Sequence, residues 1–168
     1  FRRLFDQGIT ITRSDAQSVA ISEYVLANVM ALYQRVFERR ELQQQRQWQE
    51  TRFNELSGKR WLIIGYGNIG QAIAKRARAF DCEIIAVNRD GRQATYADKS
   101  ITLQQLNDER KNVDIVVIAC PLTEQTKHLV DAAFLADLKP SAIIVNIGRG
   151  EVIDEPALIT ALQQQKIA

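Results

Sequence analysis

The sequence is poor in the residues that announce most kinds of chemistry. His128 is its only histidine, and its two cysteines, Cys82 and Cys120, sit in apolar runs with neither CxxC nor metal-ligand spacing. That excludes a zinc ribbon, a thioredoxin-type redox pair and a disulfide framework, and it predicts no metal site. Buried, reduced thiols are the expectation, which fits a reducing, cytoplasmic setting. No charge of one sign predominates. With 22 basic and 20 acidic residues interspersed, the net charge is +2, leaving no electrostatic footprint for nucleic acid or an anionic membrane. No apolar run approaches the length of a membrane span, no secretory pattern opens the chain, and no internal repeat runs through it. The first residue is Phe1 rather than methionine, and the last three, Lys166-Ile167-Ala168, directly follow a helical pattern. The expectation is a fragment of a longer protein.

What is present is an ordinary globular composition, 46% hydrophobic and 25% charged over 168 residues, enough for one domain with a real core. From Ser18 to about Phe37, Ile21, Val25, Val29, Leu32 and Val36 recur at helical spacing, while Tyr24, Leu26, Met30 and Tyr33 make the other sides apolar as well. A helix without a polar face is expected between domains or between subunits. Glu38 to Glu50 turns polar, a solvated helical arm or loop containing an isolated Trp48.

Beyond the arm, short apolar runs alternate with helical patterns. Strands are expected at Trp61 to Ile64, Glu83 to Val87, Val113 to Ala119 and Ala142 to Asn146. Helices are expected at Gln71 to Phe80, at Val130 to Leu138, and after Asp154-Glu155-Pro156, where Asp caps and Pro is tolerated in the first turn. Continuous apolar strands alternating with helices predict an α/β fold: a Rossmann-type, doubly wound parallel sheet with helices on both faces, incomplete at its C-terminal end.

The first strand ends in Gly65-Tyr66-Gly67-Asn68-Ile69-Gly70. GxGxxG alone is a weak signal, but between a strand and a helix each glycine has a task. Gly65 makes the sharp turn, Gly67 admits a pyrophosphate to the backbone, and Gly70 lets helix and sheet pack closely. Helix amides then face the phosphates of a dinucleotide. At the end of the second strand, where an acid would accept hydrogen bonds from the adenosine ribose and select NAD, stands Asn88, followed by Arg89 and Arg92. Cations without a carboxylate favour a 2′-phosphate, so NADP is expected, with NAD possible. Asp90 is free either to turn toward the ribose or to pair with one of the arginines.

Hydride transfer to a carbonyl also needs a cation and a proton donor. Arg149, in Asn146-Ile147-Gly148-Arg149-Gly150 at a strand end, suits the first role. His128 lies on the way into a helix rather than at a strand end and reads as a plain surface or half-packed histidine. No general acid is evident.

Taken together, these residues resemble the NAD(P)-binding domain of the D-isomer-specific 2-hydroxyacid dehydrogenases. The likeness runs through Ser18 to Tyr24, Leu56-Ser57-Gly58-Lys59, Gly65 to Gly70, the stretch Cys120-Pro121-Leu122-Thr123-Glu124-Gln125-Thr126, and Asn146 to Gly150 followed by Val152-Ile153-Asp154-Glu155. The resemblance implies that Asn68 and Ile69 meet the pyrophosphate and that Asn88 and Arg89 meet the adenosine ribose or its phosphate. Cys120 and Pro121 would flank the adenine, with Thr126 of the same stretch counted among the cofactor residues. Ile147 and Gly148 would lie near the nicotinamide, and Arg149 matches the family's substrate-binding catalytic arginine. It further implies a small 2-oxo or 2-hydroxy acid as substrate and an acid–base histidine and glutamate from segments after Ala168. Residues 18–37 would form a homodimer helix. Residues 1–17 then read as the end of a substrate-binding domain or linker, 18–50 as the dimerisation helix and arm, and 51–168 as the nucleotide-binding domain. Two other classes stay open: a non-catalytic dinucleotide sensor of corepressor type, and a formate- or phosphite-type dehydrogenase.

Overall fold

Alternation along three buried strands decides how this chain folds. In a computed structural model, which describes residues 6–10, 12 and 14–168, β1 (Arg60–Ile64), β2 (Glu83–Val87) and β4 (Ile115–Ile118) are buried almost end to end. Leu62, Ile64, Ile85, Val87, Val116 and Ile118 point to one face of the sheet; Trp61, Ile63, Ile84, Ala86, Ile115 and Val117 point to the other. A strand apolar on both faces must be covered twice. Each fully buried aliphatic side chain contributes about 1.5–3 kcal/mol, so these strands dominate the stabilising surface.

One face is covered by α1 (Ser18–Tyr33) and α3 (Asn68–Arg78), which pack against each other. The other is covered by α5 (Ala132–Asp137) and α6 (Glu155–Gln163). Both of the latter begin at an Asp cap: Asp131 accepts from the Phe134 amide at 2.8 Å and Asp154 from the Ala157 amide at 3.2 Å. Between α1 and α3 lies α2 (Val36–Gln44), and the short α4 (Leu106–Glu109) precedes β4.

The five strands run parallel in the order β3-β2-β1-β4-β5, with β3 at Lys99–Ile101 and β5 at Ile143–Asn146. From β1 the chain moves outward through β2 and β3, then crosses to β4 and β5 on the opposite side. The order reverses between β1 and β4, and ligands of open α/β sheets bind beyond the carboxyl ends of the strands at that switch point.

Several elements differ from the sequence reading, among them α4, which no expected helix covers. The helix expected over residues 18–37 stops at Tyr33, because Arg35 takes a left-handed conformation (φ 52°) and the chain re-enters a helix at Val36. The Arg35 guanidinium pairs with Glu38 at 2.5 Å, and Arg39 stacks over Phe53 at 4.7 Å, folding the arm back toward the domain. Strand β3 was not foreseen: in Lys99-Ser100-Ile101 only one residue is apolar, so no period is visible, and pairing with β2 creates the strand.

Candidate active site

The turn after β1 is built where a side chain cannot fit. Gly65 has φ +96°, and a Cβ placed on it would lie 2.5 Å from the Cys120 nitrogen and 2.7 Å from the Ala119 carbonyl carbon. The chain leaving β1 is thus pressed against the chain leaving β4. A Cβ on Gly70 would meet the Gly65 carbonyl oxygen at 2.6 Å, so the first turn of α3 lies directly on the end of β1. Gly67 occupies the N-cap of α3, with no capping side chain and no acid in the first turn. Amides at the start of an eleven-residue helix therefore carry the positive end of its dipole with no side-chain cap among the described residues, an arrangement that fits a diphosphate.

A cleft of 630 Å³ opens beside this turn, at the switch point. It is lined by Gly65, Tyr66 and Gly67 of the turn, by Asn88 and Arg89 after β2, by Leu103, and by Cys120, Pro121 and Thr123 to Thr126 after β4. Seven of the expected cofactor residues thus share one cleft: Gly65, Gly67, Asn88, Arg89, Cys120, Pro121 and Thr126. Asn68, Ile69 and Gly70 instead line a smaller hollow of 150 Å³ together with Ser14, Asp15, Gln17 and Ser18.

The hydrogen bonds sort these residues further. Thr126 is buried, and its hydroxyl donates to the Pro121 carbonyl at 2.8 Å while accepting from the Thr123 amide at 2.8 Å. Its side chain shapes the wall that Pro121 presents. Cys120 is buried too, and burial pushes its thiol above the ordinary range, so it stays protonated and apolar. Cys82, pushed up to about 11 by burial, is equally inert.

At the end of β2 the Asn88 amide turns into its own loop, accepting from the Gly91 amide at 2.7 Å and donating to the Arg92 carbonyl at 2.9 Å. Asp90 resolves its own ambiguity by pairing with Arg92 at 2.9 Å. Arg89 is exposed at the end of the cleft, and none of the ion pairs among the described residues involves it.

The second glycine turn follows β5. A Cβ on Gly148 would approach the Cys120 carbonyl oxygen to 2.8 Å, so this turn presses on the same residue as Gly65 does. Asn146 closes it, its Oδ1 accepting from the Gly148 amide at 2.9 Å and its Nδ2 donating to the Arg149 carbonyl at 3.1 Å. Ile147 is half-buried against the α1–α3 layer, and Arg149 is exposed, its guanidinium in no ion pair among the described residues. His128 is exposed in a left-handed turn (φ 52°), its amide bonded to the Glu151 carbonyl at 2.8 Å.

Two glycine turns meeting on Cys120 at the carboxyl edge of a parallel sheet match a known protein family along most of the chain. The family model for the NAD binding domain of D-isomer specific 2-hydroxyacid dehydrogenases covers residues 26–168. The chain belongs to this family. A glyoxylate/hydroxypyruvate reductase A of Arabidopsis thaliana is 36% identical over 166 residues, covering 96% of this chain and 52% of that protein. A crystal structure of a D-isomer specific 2-hydroxyacid dehydrogenase family protein from Aeromonas salmonicida superposes with a TM-score of 0.87 at 36% identity, over 95% of this chain and 51% of that one. A second, from Xanthobacter autotrophicus Py2 in complex with NADPH and MES, has a TM-score of 0.80 at 26% identity, over 90% of this chain and 48% of that one. The chain spans about half the length of the relatives it matches. In this NAD-binding domain one cleft residue to which sequence reasoning gave no role is Tyr66, whose hydroxyl donates to the Thr95 carbonyl at 2.8 Å. Its position inside the glycine motif was legible; its bond across 29 residues was not.

Proposed function

We propose that this chain is the nucleotide-binding half of an NADP-dependent reductase acting on a small 2-oxo acid, of the glyoxylate or hydroxypyruvate type. The observation that carries the reading is the convergence of the Gly65 and Gly148 turns on Cys120, which sets a diphosphate cradle and an exposed arginine at one edge of the sheet. Relatives named glyoxylate/hydroxypyruvate reductase support the substrate class. The 2-oxo acid's carboxylate and carbonyl oxygen are the groups a guanidinium fork binds best, so Arg149 holds the acid and polarises the carbonyl. Bound NADPH would supply the hydride. Asn68 and Ile69 offer backbone amides to its diphosphate, Cys120 and Pro121 an apolar flank to the adenine, and Ile147 with Gly148 a close backbone surface to the nicotinamide. Likeness to the family implies an acid–base pair supplied from outside these residues, and His128 is exposed in a surface turn.

Cofactor choice rests on Arg89. Of the two arginines after Asn88, Arg92 is paired with Asp90 and Arg89 is not, so Arg89 is the cation offered to a 2′-phosphate. A charge-assisted contact of this kind is worth about 1.5–3 kcal/mol. By fluorescence titration, NADPH is expected to bind roughly tenfold or more tighter than NADH, and Arg89→Ala to erase most of that difference. Equal affinities in the unaltered protein would overturn the NADP preference.

Residues 18–33 are also proposed as the core of a homodimer interface. The inner side of α1 is buried on α3, while Val19 (53%), Tyr24 (65%) and Leu32 (50%) remain exposed on the same helix. Tyr24 and Leu32 stand on one side of the helix, with Val19 apart from them in its first turn, and exposed large apolar side chains of this kind mark an association surface. Sedimentation equilibrium is expected to give a dimer that Tyr24→Glu dissociates; a monomer at high protein concentration would contradict it.

A further inference from the structure

Between β2 and β3 the chain runs from Asn88 to Asp98 without helix or strand, and it carries Arg89 on the way. A free loop of this length would have to be ordered when an anion binds, at a cost in chain entropy that weakens binding. Side chains hold it at several points, among them its middle, where Gln93 donates to the Ala97 carbonyl at 2.7 Å and the Ser100 hydroxyl of β3 accepts from the Ala94 amide at 3.0 Å. Asn88 ties its first turn through Gly91 and Arg92. Asp98 closes the far end, accepting from the Ile84 amide at 2.8 Å and from Arg78 at 2.6 Å. Burial alone would raise the Asp98 carboxyl, but these two donors outweigh it and hold the group below its usual range.

One further hold comes from the glycine turn. Tyr66 lies between the glycines of the β1 turn, is 9% exposed, and donates its hydroxyl to the Thr95 carbonyl in the middle of the loop. Its ring belongs to the same apolar cluster on which Ala94 and Ala97 of the loop pack. Burial pushes the phenol well above its ordinary range, so the hydroxyl remains a donor. Among the described residues this is the one side-chain hydrogen bond that joins the glycine turn to the loop. The turn faces the diphosphate and the loop presents Arg89, so the bond fixes the spacing between the two anion sites of one ligand.

We propose that Tyr66 is a positioning residue for 2′-phosphate recognition: through Thr95 it sets the loop so that Arg89 stands at a fixed place relative to the glycine turn. The proposal rests on the NADP reading above. Tyr66→Phe keeps the ring and removes only the strut. Affinities for NADPH and NADH would be titrated in the unaltered protein, Tyr66→Phe, Arg89→Ala and the double variant, alongside the rate of tryptic cleavage after Arg92. Tyr66→Phe is expected to lower the NADPH-to-NADH preference about fivefold, the worth of one hydrogen bond, and to quicken cleavage after Arg92. In the Arg89→Ala background it should leave the preference where Arg89→Ala put it. Equal losses for both dinucleotides, an unmoved preference, or unmoved cleavage would each overturn the proposal. An unaltered protein without NADPH preference sinks the NADP reading and this proposal with it, whereas a preference that Tyr66→Phe leaves undiminished sinks this proposal alone.

Discussion

Replacing Arg149 by alanine is expected to lower kcat/KM for a 2-oxo acid by about a thousandfold, roughly 4 kcal/mol of transition-state stabilisation, in the intact enzyme. The fold should not register the change. Asn146 closes the turn on the Arg149 carbonyl and the Gly148 amide, both backbone atoms that an alanine retains. The guanidinium is exposed and in no ion pair among the described residues, so its removal orphans no neighbour. NADPH affinity should stay within a factor of two or three, because the proposed role of Arg149 lies with the acid and not with the dinucleotide. Arg149→Lys restores the charge without the bidentate fork and should recover only part of the loss. Steady-state kinetics with glyoxylate and hydroxypyruvate check this directly, and activity within threefold of the unaltered enzyme would remove Arg149 from the catalytic machinery. That outcome would favour a dinucleotide-binding module without chemistry at this turn.

Why the sheet was legible before any coordinates follows from its burial. Strands β1, β2 and β4 lie inside two covered faces, so every residue after the half-buried Arg60 and Glu83 at the starts of β1 and β2 is apolar and the runs stand out against polar surroundings. β2 was read to its exact ends. The edge strand β3 carries no such demand: Lys99 is exposed, Ser100 half-buried, and only Ile101 reaches the core. Its existence depends on backbone pairing with Ile85 to Val87, a long-range fact that no local window contains. The break at Arg35 was invisible for a different reason. The apolar period carries through it to Val36, while termination depends on one left-handed residue that is not glycine.

The site divided along the same line. Where function constrains residue type, as at Gly65, Gly70 and Gly148, the sequence announced it, since a Cβ at any of them would collide with backbone. Where function depends on which partner a polar group chooses, the sequence left the choice open. Asn88 had several possible partners and took two in its own loop; Asp90 had two arginines within reach in sequence and took Arg92; Thr126 turned inward to Pro121. Composition names the donors and acceptors, and only packing assigns them.

Gly65 gives the sharpest test of that division. An alanine there combines an unfavourable backbone at φ +96° with a Cβ about 2.5 Å from backbone atoms of Cys120, where nothing flexible can yield. Strain and overpacking together are expected to cost roughly 2–5 kcal/mol. For a chain of this size that is a fall in Tm of about 10 °C. To relieve the contact, the ends of β1 and β4 must separate, which widens the switch point and turns the α3 amides away from the diphosphate. Dinucleotide affinity should therefore drop by about a hundredfold or more even in the fraction that stays folded, with NADPH and NADH affected alike. Gly150→Ala is the stability control, since its added Cβ meets nothing within 4 Å and its backbone is outside the left-handed region. Its Tm should stay within about 2 °C of the unaltered protein. Thermal melts with and without each dinucleotide separate the two effects: Gly65→Ala should melt early and gain almost nothing from either cofactor, while Gly150→Ala should gain as much as the unaltered protein. A Gly65→Ala protein that melts normally and binds normally would mean that the close approach to Cys120 neither stabilises the fold nor shapes the cradle.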